Sequence, residues 1–412
     1  MRMQPALADS RPSGPWRLAS RAAKAQASLI LAINARAKAL AAAGRDVVLF
    51  GAGEPDFPTP PHIRRATAEA MERGLTRYTA TNGLAELRAA IAERLRLDLA
   101  LAYAPEDVLV TAGAKMALYE LFQATCEPGD EVVILSPHWV SYPEMVSLAG
   151  ATPVFVPTLA EEGFRPDPER VRRALSPRTR AILLNSPGNP TGAVYDRQTL
   201  EALARVLEET DALVVSDDIY ARILFDGRVF GNLAQLSPEW QARTVVIGGV
   251  SKAYAMTGFR IGWAAGPRGI VRAMGRLQDQ STSSPTAFAQ AGALAALQGP
   301  QDVVTAMVSE FEQRRDAIVS GLNAIPGVRC GRPDGAFYAF PSVKELLGRR
   351  FDDRPMATPA ALCEVLLDKL GVALVPGEPF GAPEHLRLSF ATSMSEIARG
   401  LERLRAGLGG LR

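Results

Sequence analysis

Between residues 107 and 266 the chain alternates short, apolar, β-branched stretches with longer helical ones. "DVLVT" (107–111) leads into "AKMALYELFQATC" (114–126), and "EVVIL" (131–135) precedes a helix over 141–149. "TPVFV" (152–156) precedes 167–175, and "RAILLN" (180–185) precedes 196–209. "ALVVSD" (212–217), "TVVIGG" (244–249) and "IGWAAG" (261–266) follow. Strands this short, without polar alternation, need helices over both faces. The rhythm predicts an α/β fold with a mostly parallel, doubly wound sheet over about 60–300. In such a sheet ligands bind outside the carboxyl ends of the strands.

The flanks differ. Residues 1–18, rich in Pro, Ser and Arg, are expected to form a flexible arm. "LILAINARAKALAAAG" (29–44) is expected to be a helix capped by Gly44. After residue 300 come a long charged helix, "GAFYAF", a helix near 358–370, "GVALVP" and "HLRLSF". That order predicts a smaller α+β domain at 301–412, joined by residues 19–58, beside a large domain at 59–300. The polar stretch "KELLGRRFDDRPMATP" (344–359) is expected to be an exposed connection.

Bulk properties narrow the function. Of 412 residues, 47% are hydrophobic, enough for two cores. The 46 basic and 44 acidic residues leave a net charge of +2, which gives no footprint for nucleic acid or an acidic membrane. Cys126, Cys330 and Cys363 are far apart and odd in number, so they fit a reducing cytoplasm, not a disulfide framework. With His62, His138 and His385 as the three histidines, a histidine-based metal site is not expected. The N-terminus lacks a signal-peptide core, and no apolar run is long enough to span a bilayer.

Chemistry-bearing residues gather where strands end. "NSPGNPTG" (185–192) follows "AILL"; "SDDIY" puts Asp217 at a strand end and Tyr220 three residues on; "GGVSK" puts Lys252 after "TVVI". "TAGAK" (111–115) joins a strand to a helix start, where free N–H groups and the helix dipole favour an anion. Singly, each has a bland explanation: a cap, a tight turn, or a lysine whose stem lies along the surface. Their joint occurrence around one sheet edge points to a site.

"NSPGNPTG…SDDIY…SKAYAMTGFRIGW…HLRLSF" resembles the class I aminotransferases, pyridoxal-phosphate enzymes of fold type I with a seven-stranded sheet. The motif S-K-x-x-x-x-x-G-x-R-x-G is met by Ser251, Lys252, Gly258, Arg260 and Gly262. "GAGEPDF" (51–57) and "PHWVSYPEM" (137–145) resemble the aspartate aminotransferase branch. The resemblance implies that Lys252 forms a Schiff base with pyridoxal 5′-phosphate and shuttles a proton at the substrate Cα, its amine made reactive by neighbouring positive charge. It implies that Asp217 pairs with the pyridine nitrogen, that Asn189 and Tyr220 bond the phenolic oxygen, and that Trp139 stacks on the ring. The phosphate falls to Gly113, Ala114, Ser251 and Arg260, and to Tyr78 of a neighbouring subunit in a homodimer. Arg387, with the backbone of Gly53, takes the substrate α-carboxylate.

The donor is less determined. Lys115, one position past the phosphate turn, is placed to meet a distal carboxylate, which favours aspartate and glutamate with a 2-oxo acid acceptor in two half-reactions. Ile30, where a hydroxyl is usual, removes one partner for that carboxylate, so aromatic, aliphatic and prephenate substrates stay open, as does a β-lyase on the same scaffold. Asp218, where glutamate is common, is expected to affect packing alone. A transcription regulator needs a DNA-binding segment for which the chain before residue 50 is too short, and no G-x-G-x-x-G supports a dehydrogenase.

Overall fold

The computed structural model describes residues 18–25, 27 and 29–411. The expected N-terminal arm lies outside these, apart from Leu18.

Seven strands build the central sheet: β1 Val108–Thr111, β2 Glu131–Ser136, β3 Thr152–Pro157, β4 Thr179–Asn185, β5 Leu213–Asp217, β6 Thr244–Gly249 and β7 Gly262–Ala265. Their order across the sheet is β1-β7-β6-β5-β4-β2-β3. β7 runs antiparallel to both neighbours, and the remaining pairs are parallel. This is the mostly parallel α/β sheet expected, with each strand within a residue or so of its sequence reading. The apolar run explains why: Val245, Val246 and Ile247 of β6 are all at most 1% exposed. Burying each such side chain contributes roughly 1.5–3 kcal/mol. Ile247 packs with the helices Ala114–Thr125 and Ser141–Leu148 on one face, while Val246 packs with Ala85–Leu99 and Ala287–Gln298 on the other.

The helix Leu29–Ala42 ends where predicted, with Gly44 in the left-handed region at φ +83°. The next segment joins the C-terminal part of the chain: Val48–Leu49 pairs in parallel with Val372–Ala373. A three-stranded antiparallel sheet follows from Tyr338–Ala339, Val375–Pro376 and Leu386–Ser389. "GVALVP" therefore serves two sheets, breaking at Leu374. The 22-residue helix Asp302–Asn323 and the helices Pro359–Leu370 and Met394–Gly409 cover this region around a core that includes Phe311, Phe337 and Leu388.

One expectation holds only in part. Most of the stretch 344–359 is exposed, as expected, but it is not a bare connection: it holds a short hairpin, Arg350–Phe351 with Arg354–Pro355. Leu346 and Met356 at its ends are fully buried in the C-terminal core. Its polar average hid two apolar anchors that fix both ends.

Candidate functional site

At the carboxyl ends of β4, β5 and β6 lies a cavity of about 430 Å³. The parallel strands deliver Asn185, Asp217 and the Ser251–Lys252 turn there, and the antiparallel sheet beyond residue 338 delivers Tyr338 and Arg387. Of the residues singled out above, Gly53, Ala114, Lys115, Trp139, Asn189, Asp217, Tyr220, Ser251, Lys252, Arg260 and Arg387 line it, as does Ile30. Gly113 adjoins it as the residue before the helix Ala114–Thr125. Tyr78 is not in the wall of its own chain's cavity and is 90% exposed.

Asp217 is 2% exposed. Its Oδ2 accepts a hydrogen bond from the Tyr142 hydroxyl at 2.6 Å, and its Oδ1 accepts one from the Ile219 N–H at 3.3 Å. Burial pushes its carboxyl up to about 6, against the Tyr142 bond, the Ile219 bond and the charge of Lys252. Burial likewise pulls the Lys252 amine down to about 8; Glu54 opposes this, and Arg260 and Arg387 add to it. Neighbouring positive charge was the expected cause, but desolvation is the larger one. Lys252 Nζ donates to the carbonyl of Gly53 at 2.5 Å. It has no carboxylate within ion-pair distance among the described residues.

Arg387 is 1% exposed. Its guanidinium donates to Asn189 Oδ1 at 3.2 Å and to the Gly51 carbonyl at 2.9 Å, and it lies 4.7 Å from the Tyr338 ring centre. Its Nε has no partner, and no carboxylate pairs with it among the described residues. A buried guanidinium in that state costs several kcal/mol unless an anion joins it. The cavity it faces is where that anion can bind.

The opposite end is also cationic. Gly113 holds φ +86°, and a Cβ there would lie 2.5 Å from Arg260 Nη2. A Cβ on Gly262 would lie 2.2 Å from the Ala114 amide nitrogen, so β7 can press against the helix start only through glycine. Free amides at that start, buried Ser251 and the Arg260 guanidinium make a cradle for an anion such as phosphate. Lys115, in the first helical turn, holds its ammonium 4.9 Å from the Trp139 ring centre. Trp139 meets Tyr142 edge-on at 5.3 Å.

Two contributors were not foreseen, and a third, Asn185, does more than open the "NSPGNPTG" turn. Tyr142 is the buried donor to Asp217; it lies in "PHWVSYPEM", three positions after Trp139, and its spacing was an available signal. Tyr338 shares a 2.7 Å hydrogen bond with the Tyr220 hydroxyl, and "GAFYAF" gave no hint of it. Asn185 donates through Nδ2 to the Asp217 carbonyl and accepts the Asn189 N–H, so it sets the turn that aims Asn189.

The model of the family "Aminotransferase class I and II" matches residues 45–404. An aspartate aminotransferase of Geobacillus stearothermophilus is 47% identical over 391 residues, which are 94% of this chain and 98% of that protein. An aspartate/prephenate aminotransferase of Thermus thermophilus is 46% identical over 93% of this chain and 96% of its own length. Among solved structures, the aspartate aminotransferase of Rhizobium meliloti superposes with a TM-score of 0.93 at 42% identity, covering 96% of this chain and 100% of that one. With its fold type I sheet and these relatives, the chain belongs to the class I and II aminotransferases and is a transaminase.

Proposed function

We propose that this transaminase binds pyridoxal 5′-phosphate and moves the amino group of aspartate or glutamate to a 2-oxo acid. The residues fit the cofactor. An anion cradle at Ala114, Ser251 and Arg260, with Gly113 beside it, and a buried acid, Asp217, line one cavity together with Lys252 and Trp139. When bound, the cofactor supplies a ring that withdraws electrons from the substrate Cα.

The chain's own groups do the rest. Arg387 grips the α-carboxylate with a planar fork, and Asn189 holds that fork in place. Lys252 anchors the cofactor and, with its amine pulled to about 8, holds or gives up a proton at Cα near neutral pH. Asp217 holds a proton at the pyridine nitrogen. Tyr220 and Asn189 would hydrogen-bond the cofactor's phenolic oxygen. Tyr78, exposed on its own subunit, reaches the phosphate of a second copy, so the working unit is a homodimer. Lys115 meets the distal carboxylate.

The observation that carries this reading is Arg387, buried without a carboxylate partner beside Lys252 and Asp217. Ile30, Leu118 and Val140 in the same wall favour a second reading, in which donors have aromatic or aliphatic side chains. The test is amino transfer to 2-oxoglutarate from aspartate, glutamate, phenylalanine and alanine in turn, in wild type and Lys252→Ala. Loss of roughly 10⁴-fold in kcat is expected for the variant. Transfer within tenfold of wild type would reject Lys252 as the working amine. A preference for phenylalanine over both dicarboxylates would replace the first reading with the second.

A further inference from the structure

A second cavity, of about 370 Å³, lies on the far side of the sheet from the helix Ala114–Thr125. Val246 and Gly248 of β6 and Trp263 of β7 form its floor, and Leu95, Leu297, Val304 and Val308 close it from three helices. The amino-transfer chemistry uses none of these residues. Its lining is mostly apolar, with a distinct polar corner. There Arg222 donates through Nη1 to the Tyr254 hydroxyl and to Gln301 Oε1, both neutral and both at 2.5 Å. Its Nε and Nη2 make no hydrogen bond, and no carboxylate pairs with it, among the described residues.

The other charged groups in the wall do not supply that partner. Asp98 is paired with Arg94. Asp218 accepts from Ser216 and Asn232, and burial pushes its carboxyl up to about 8, so it is largely uncharged at neutral pH. The cavity therefore carries one uncompensated positive charge beside an apolar floor. Trp263 Nε1 is also buried without a partner.

We propose that this cavity is a second small-molecule site, which takes an anion with an apolar body, such as an arylalkyl carboxylate, on Arg222. The ligand's carboxylate meets the open side of the guanidinium, and its hydrocarbon part lies against the Trp263 indole, which itself covers Gly248 where a Cβ would stand. The site communicates with the first through Ile219, which lines both cavities. The Ile219 N–H is one of the two donors to Asp217, so an occupant that shifts this residue alters the acid of the active site.

Equilibrium dialysis of 3-phenylpropionate against the cofactor-loaded enzyme tests this. Two molecules are expected per chain, one at Arg387 and one at Arg222. Arg222→Gln weakens the second by at least about tenfold, the loss of a charge-assisted bond, while leaving amino transfer without the probe within about twofold. Arg387→Lys removes the other molecule alone, which separates this site from the substrate site. Val308→Phe, filling the cavity from the helix side, also leaves one molecule. One molecule per chain in wild type, or two retained by Arg222→Gln, overturns the proposal.

Discussion

Tyr142 donates its hydroxyl hydrogen to Asp217 Oδ2 at 2.6 Å, and both side chains are at most 2% exposed. The bond stabilises the ionised carboxylate against a desolvation that favours the acid. The proposed function requires Asp217 to be ionised at working pH, and Tyr142 is the strongest group acting to keep it so.

Tyr142→Phe removes that bond and keeps the ring packed against Trp139. The Asp217 carboxyl should rise further above its ordinary range. A hydrogen bond to a charged group is worth about 1.5–3 kcal/mol, so the acid limb of the kcat–pH profile should move up by about one unit or more. Activity should fall by about tenfold near pH 6 and less at pH 8. An acid limb that stays in place would show that Asp217 ionisation does not depend on Tyr142.

Arg387 gives a test in which stability and function separate. Arg387→Lys keeps the charge but loses the planar fork, and kcat/KM should fall by roughly 10²-fold or more for every donor. Arg387→Met removes a buried guanidinium that has no carboxylate. In cofactor-free protein it should equal or exceed wild type in urea unfolding, by ~1–2 kcal/mol, while amino transfer is lost. A variant clearly less stable than wild type would mean that the bonds to Asn189 and Gly51 outweigh the desolvation.

On the proposed function, Lys115 and Ile30, which both line the cavity, set the choice of donor. Lys115→Ala should lower kcat/KM for aspartate and glutamate by about tenfold and leave alanine unchanged, since burial already pulls this amine down and a bond from a charged donor to a carboxylate contributes about 1.5–3 kcal/mol. Ile30→Thr should raise aspartate activity and lower phenylalanine activity. Equal effects on all donors from Lys115→Ala would remove it from substrate recognition.

The sequence located what depends on short-range pattern. All seven strands stand out because β-branched runs such as "TVVI" are buried on both faces. The strand-end residues Asp217, Asn189 and Lys252 follow from those runs by counting. What pairing decides was not visible. Nothing in "IGWAAG" shows that β7 runs antiparallel, and nothing in "GVALVP" shows that Leu374 divides two sheets. Tyr338 meets Tyr220 from 118 positions away, a contact that only the fold creates. Leu346 and Met356 were missed because charged neighbours dominate their segment, although burial depends on each side chain and not on the average.

Asp218 tests how the fold tolerates a second acid beside the first. Its carboxyl is held between the Ser216 hydroxyl, 2.6 Å from Oδ1, and Asn232 Nδ2, 2.7 Å from Oδ2. Burial nonetheless pushes it up to about 8, and the charge of Asp217 adds to the shift. The folded state thus keeps a proton that the unfolded chain releases near its ordinary value of 3.8. Between these two values stability must fall as pH rises, because the native state binds the extra proton; above about 8 the loss is complete. Asp218→Asn has no proton to lose and keeps a donor and an acceptor in nearly the same shape. Its stability relative to wild type should rise by several kcal/mol, at most about 4–5, between pH 4.5 and pH 8.5, read from urea midpoints at each pH. Amino transfer should change little, since Asp218 lies outside the substrate cavity. A constant difference between the two proteins across that range would mean that Asp218 is ionised in the native state throughout.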